Sequence, residues 1–333
     1  MPLELDTDGI WTLLPKGFPE GFEFKMKNGK KLGFDFPCTM CNNLIFGPFG
    51  NDQYQTLVDS KSLKPEYETR HEMSIFFELD GPYKCMLIPA STEEGKMLKK
   101  RYAVFNHAGK MTEVKGFELK RRGELKIIKI FQEEVFSQFL EGSSLQECYD
   151  ACGEVGERWY DILDSKGEYI DDQELIEYIG EEKVLSKSLS EYGSKKGTSI
   201  TCAKRLAEFL GQDALKEGSL NVKFIISKMP MDEKVASRAI PTAIFDTDKP
   251  IKEKFLKKWL KDSNMTSFDL RSILDWDYYK ERLGGAIQKI ITIPAALQNC
   301  MNPIPKIAYP QWLHKRIKIQ EDKFKQKDMK HFF

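Results

Sequence analysis

Apolar patterning changes character once along this chain, and that change constrains the fold more than any other feature. Up to about residue 105 apolar and polar side chains alternate, the period of a half-buried strand. Phe22, Phe24 and Met26 alternate, Asn28-Gly29 follows, and Leu32, Phe34 and Phe36 alternate again. An Asn-Gly pair between alternating runs predicts a β-hairpin, because both residues tolerate the positive φ of a tight turn. Leu3-Glu4-Leu5 and the apolar run from Ile10 to Leu14 flank Asp6-Thr7-Asp8-Gly9, which predicts another hairpin with its acids at the turn. Further strands are expected over residues 75–79, 85–88, 101–105 and 114–119.

After Arg122 the period lengthens. Ile127, Ile128, Phe131, Val135, Phe136 and Phe139 recur at helical spacing. Ser144 opens a second helix with Leu145, Cys148, Tyr149, Cys152, Val155, Trp159 and Ile162 on one face. Asp171-Asp172 caps a shorter third helix. A fourth starts at Thr198 or Ser199 and stops at Leu210-Gly211, where glycine suits the C-terminal cap. A strand over 222–227 interrupts, and residues 250–298 read as mostly helical, with Pro294 breaking or kinking the last helix. The expected fold class is α+β: antiparallel strands first, a larger helical piece behind them.

Composition narrows the function classes. With 41% hydrophobic and 31% charged residues in 333, the chain can bury a core and is not intrinsically disordered. No apolar run approaches the roughly 18 residues that span a bilayer, so no membrane partner is expected. The first residues, MPLELDTDGIW, lack the apolar core of a secretory signal. Seven cysteines, odd in number and mostly scattered, fit a reducing compartment better than a disulfide framework.

Charge is balanced overall, 51 Lys+Arg against 51 Asp+Glu, but unevenly spread: residues 96–129 hold eleven Lys/Arg and three Glu. Lys99-Lys100-Arg101-Tyr102 and Lys120-Arg121-Arg122 are its two clusters. Each alone is more often a solvated face or a helix-flanking cluster; two within 25 residues, one containing a tyrosine, make a phosphate-backbone site an equal reading. The stripe straddles the junction of the two pieces, where a nucleic acid is expected to lie.

Asp6-Thr7-Asp8 offers a second chemistry. Residues i and i+2 of a strand share a face, and two carboxylates so placed can hold Mg²⁺ together with substrate phosphates. The alternative is a solvated turn. Cys38-Thr39-Met40-Cys41 has half of a zinc-site spacing, but no second pair or His pair is near it in sequence, so no metal is expected there. Four histidines make a histidine-based hydrolase a poor reading, and no Gly-rich phosphate loop is present.

These segments resemble the family B DNA polymerases in their epsilon branch. ELDTDGIW (Glu4 to Trp11) resembles motif C, and KKRYAVFN (Lys99 to Asn106) the KKRY motif. KGFELKRRGEL (Lys115 to Leu125) is similar to the segment that follows, and TCAKRLAEFLG and ILDWDYYKERLGGAIQKIITIPAALQ to the thumb. The resemblance runs from residue 3 to about 314. It implies residues 1–95 as the end of a palm with the motif C hairpin, 96–314 as the KKRY segment and thumb, and 315–333 as a basic tail.

It also implies roles. Asp8, with Asp6 beside it, would bind catalytic Mg²⁺, shared with a motif A aspartate that is not in these residues. Lys99, Lys100, Arg101 and Tyr102 would meet the minor groove of primer–template DNA; Lys120, Arg121 and Arg122 would add duplex contacts. Ser186, Lys187, Lys195, Lys196 and Thr198 would grip the backbone from the thumb. The activity implied is two-metal phosphoryl transfer from deoxynucleoside triphosphates to a primer 3′ end, in the nucleus, with other epsilon subunits or the remaining catalytic half as partners. Motifs A and B, the exonuclease domain and the C-terminal cysteine motifs are not in these residues. The family's iron–sulfur ligands also precede motif C, so Cys38 and Cys41 do not correspond to them. The isolated chain is therefore expected to be inactive. The alternative is a non-catalytic DNA-binding module derived from a polymerase; a protein scaffold without a DNA role is the third reading.

Overall fold

A computed structural model of the chain describes residues 1–6, 9–14, 21–46, 51–59, 61, 63–72, 77–78, 80–211 and 220–319. It separates into two units, Met1–Cys85 and Met86–Phe333.

The first unit is built from antiparallel ribbons. β1 (Pro2–Asp6) pairs with β2 (Gly9–Thr12), Asp6 opposite Gly9. Reciprocal bonds between Met1 and Leu13 extend the pair by one rung. β3 (Gly21–Lys25) pairs with β4 (Lys31–Asp35), Phe22 opposite Phe34 and Phe24 opposite Leu32. Gly29 takes a φ of +80° at its turn, and Asn28 Oδ1 accepts from the Lys30 N–H. α1 (Phe36–Phe46) follows and carries Cys38 and Cys41. β5 (Asn51–Asp59) and β6 (Glu66–Glu72) form a third ribbon. The strand expected over 75–79 lies mostly outside the described residues.

The second unit holds two three-stranded sheets and most of the helices. β7 (Cys85–Leu87), β8 (Tyr102–Phe105) and β9 (Met111–Lys115) form one sheet in that order. α2 (Lys126–Gln138) packs on α3 (Leu145–Asp164) and on α4 (Asp172–Ile179). β10 (Glu181–Leu185), β11 (Leu220–Ile226) and β12 (Ala239–Pro241) form the second sheet, antiparallel throughout. α5 (Thr198–Leu210) packs on that sheet. α6 (Lys249–Leu260), α7 (Leu270–Ile273), α8 (Trp276–Ile287) and α9 (Ile293–Leu297) complete it, and residues 311–319 are helical.

The helices follow their sequence signals. Ile127, Ile128, Phe131, Val135 and Phe136 are the buried face of α2. Phe105 stacks on Phe139 at 5.7 Å, and Phe117 meets Phe136 edge-on at 4.9 Å. Ser144 caps α3 by accepting from the Glu147 N–H, and Asp171 caps α4 through two N–H groups. Leu145 departs from its expected buried face and is 44% exposed, because it sits in the first turn of α3. Pro294 does not end the last helix: a π-helical turn over Gln288–Thr292 precedes α9 and leads the chain into it.

Candidate nucleic-acid interface

The two strands between the basic clusters pair as a hairpin. β8 and β9 pair antiparallel, with Tyr102 opposite Lys115 and Ala103 opposite Val114. The pairing returns the chain after Lys115 to the place from which it left at Arg101. Lys99 and Lys100 are exposed just before β8; Lys120, Arg121 and Arg122 follow β9 and a 3₁₀ turn over Glu118–Lys120, with Arg121 and Arg122 exposed and Lys120 at the turn's end.

The approach is closer than a side chain would allow. Lys100 has a φ of +56° and Gly116 one of +74°. A Cβ on Gly116 would lie 2.6 Å from Arg101 Cγ. Only glycine fits that contact together with that φ. Arg101 is half-buried, with Nη1 3.8 Å from Glu118 Oε1. Among the described residues no carboxylate reaches ion-pair distance of Lys99, Lys120, Arg121 or Arg122. Four cations are thus left to solvent or to an anion.

Tyr102 is placed differently from the expectation. Its side chain is buried, the residue 1% exposed, and its hydroxyl donates to Glu113 Oε1 at 2.9 Å. All four residues of β8 are buried, so the ring belongs to the core beneath the cluster and is not offered at its surface.

The second cluster rests on β10. Gly123 has a φ of +75°, and a Cβ there would lie 3.0 Å from the Glu182 carbonyl oxygen and 3.3 Å from Lys183 Cγ. Lys183 Nζ then donates to Thr198 Oγ1 at 3.4 Å, which ties β10 to the first residue of α5. Ser186, Lys187, Lys195 and Lys196 lie along the connection between them, and Thr198 is half-buried. The turn in that connection is set by a capping box: Ser188 N–H and Oγ both donate to Glu191 Oε1. The Ser188 hydroxyl first, then its N–H, holds the Glu191 carboxyl below the usual range. Gly197 precedes α5 without a side-chain cap, which leaves first-turn N–H groups and the positive end of the helix dipole at this surface.

A half-buried network anchored on the buried Glu181 lies beside the cluster. Arg282 on α8 donates to Glu124 Oε2 and to the Tyr278 hydroxyl, each at 2.9 Å, and Tyr278 donates to Glu181 Oε1 at 2.7 Å. Burial, then the Glu181 charge, pushes the Tyr278 phenol well above its ordinary value, so it stays a donor. Sequence patterning does not single these residues out. It misses Gln132 too, although a glutamine between Ile128 and Phe136 on an apolar stripe is a legible signal.

In the first unit, Asp6 and Glu4 are 8% and 9% exposed and share one face of β1. Their pairing partners Gly9 and Trp11 come from β2, while Leu5 and Ile10 on the other face are exposed. Asp8 lies outside the described residues. Among the described residues no group of three His, Cys, Asp or Glu side chains could hold a metal ion. Mg²⁺ needs only one or two carboxylates beside substrate phosphates, so Asp6 fits part of such a site.

Comparison with known proteins bears on both units. Residues 121–298 match the family described as the thumb domain of the DNA polymerase epsilon catalytic subunit. Two curated relatives carry the name of that catalytic subunit. The one from Aspergillus fumigatus is 57% identical over 332 residues and the one from Saccharomyces cerevisiae 54%; both comparisons cover 100% of this chain and 15% of the relative. The chain thus spans about 15% of the length of the curated relatives it matches. A solved family B DNA polymerase from Pyrobaculum calidifontis aligns with 64% of this chain and 22% of its own, at 23% identity and a TM-score of 0.41.

Proposed function

Because the chain belongs to the family of the DNA polymerase epsilon catalytic subunit, we propose that it is the part of a DNA-directed DNA polymerase that grips primer–template duplex and carries one carboxylate position of the catalytic site. The observation that carries this reading is the β8–β9 hairpin: it returns the second basic cluster, where the thumb match begins, beside the first.

Lys99, Lys100, Arg101, Lys120, Arg121 and Arg122 would bind phosphates and the edge of the minor groove. That groove presents nearly the same acceptors for every pair, so the grip suits a polymerase that must accept any sequence. Ser186, Lys187, Lys195, Lys196 and Thr198 would extend the grip along the backbone, helped by the uncapped start of α5. Tyr102 would act from the core, by fixing the strand that presents Arg101.

Asp6 and Asp8 would hold Mg²⁺, which in such sites neutralises charge on the transferring phosphoryl group. The burial of Asp6 supports a role beyond that of a solvated turn. The complete site needs carboxylates from another position, so this chain alone should not incorporate nucleotides. Deoxynucleoside triphosphates, the rest of the catalytic polypeptide and other epsilon subunits would be its partners, in the nucleus.

The test is a chimera. These residues replace the corresponding segment of the Saccharomyces cerevisiae relative, and primer extension is measured with Mg²⁺. Extension near the parent's rate, abolished by Asp8→Ala, is expected. A folded chimera that binds duplex without extending primers would favour the non-catalytic module instead.

A further inference from the structure

We infer that Gln132 is a positioning residue that holds the two basic clusters in one fixed arrangement. The inference rests on the duplex-binding reading above. Gln132 lies on the apolar stripe of α2 and is 0% exposed. A polar group there is costly unless every end is bonded. Its Oε1 accepts from the Leu119 N–H at 2.9 Å, and its Nε2 donates to Glu118 Oε2 at 2.6 Å. The amide cannot be turned over, since its NH₂ would then face an N–H and its carbonyl a carboxylate.

Each bond leads to one cluster. Leu119 belongs to the 3₁₀ turn that delivers Lys120, Arg121 and Arg122. Glu118 directs its other oxygen, Oε1, to Arg101 Nη1 at 3.8 Å. One side chain, rooted in a rigid helix, thus fixes the turn of the second cluster and, through Glu118, the resting place of Arg101. An apolar residue would fill the same space without the desolvation penalty, but would leave the 118–120 turn and Arg101 without this tie.

The experiment measures fluorescence anisotropy of a labelled primer–template duplex with the full 333-residue chain across a salt series. Gln132→Met keeps the shape and removes both bonds; affinity near 0.1 M salt should fall about three- to tenfold, with a log–log salt slope shallower by about one, the loss of one phosphate contact. Gln132→Glu sets a carboxylate against Glu118. Like charges so close raise the affinity for a shared proton, so binding should be weak at about pH 8 and recover toward wild type at about pH 6, a recovery Gln132→Met cannot show. Val135→Ala, a core truncation on the same helix, should leave the slope unchanged. If Gln132→Met does not fold, the pH recovery of Gln132→Glu carries the test. Wild-type affinity and slope in the Gln132 variants, where Lys100→Ala with Arg121→Ala loses both, would overturn the inference alone. Wild-type behaviour in that double variant as well would overturn the duplex reading and this inference with it.

Discussion

Gly116 packs so closely on Lys100 that a Cβ built on it would lie 2.4 Å from the Lys100 carbonyl oxygen. Both residues have positive φ. The contact joins the loop entering β8 to the loop leaving β9, and so sets the distance between the clusters.

Gly116→Ala should therefore act at two levels. The left-handed backbone alone costs about 1–2 kcal/mol for a residue with a Cβ, and the collision with a carbonyl adds to it. Urea unfolding should show stability lowered by at least that amount, and duplex affinity should fall even where the variant remains folded. A variant as stable as wild type would show that the loop relaxes freely.

Tyr102→Phe removes the hydroxyl that donates to Glu113 Oε1 and keeps the ring. Stability should fall by about 0.5–1.5 kcal/mol, while duplex affinity stays within about twofold, since a 1% exposed residue presents little surface to a ligand. Unchanged stability with a large loss of affinity would place the hydroxyl on the DNA.

The burial of Tyr102 shows where sequence reasoning stops. Residues 102–105 are legible as a strand, and the strand is there. Alternation gives the inward face only when one side meets water, and β8 is buried on both sides, so no pattern in Tyr-Ala-Val-Phe says which way the ring points. The α2 stripe is legible because its opposite face is solvated. β10 is not: Glu-Glu-Lys-Val-Leu has two acids and a lysine, and becomes a strand through tertiary pairing with β11. The clusters themselves are legible as charge. The glycines that fix their geometry are not, because their role depends on contacts distant in sequence; Gln132 is legible as a polar residue on the α2 stripe, but its partners are not.

Glu208 provides a pH test of the thumb-matched region. Its partial burial pushes the carboxyl up, but hydrogen bonds from Lys258 Nζ and Trp259 Nε1, each at 2.9 Å, outweigh it and leave the value below 4.5. A carboxyl lowered on folding contributes stability that is complete above the unfolded value and lost as pH falls through the folded one. Wild type should therefore exceed Glu208→Gln in stability at about pH 7, and the gap should close below about pH 4.5. Urea midpoints of both at about pH 7 and about pH 3 check this; a constant gap would contradict it.

Cys38 and Cys41 lie on α1 and should bind no metal, since a structural zinc site needs about four ligands. Metal analysis of the purified chain should find no stoichiometric zinc or iron. Metal that is present, and lost in Cys38→Ser, would contradict this.

The central claim, that both basic clusters serve one duplex, is tested by the salt dependence of binding. Anisotropy of a labelled primer–template is followed from low to high salt for wild type and for Lys100→Ala with Arg121→Ala. Wild type should bind with little sequence preference, its log affinity falling by about 0.9 per phosphate neutralised for each tenfold rise in salt. The double variant should lose a few kcal/mol at most, at about 1–3 kcal/mol per charged contact, and show a shallower slope. Equal affinities and equal slopes would remove the hairpin from the DNA site.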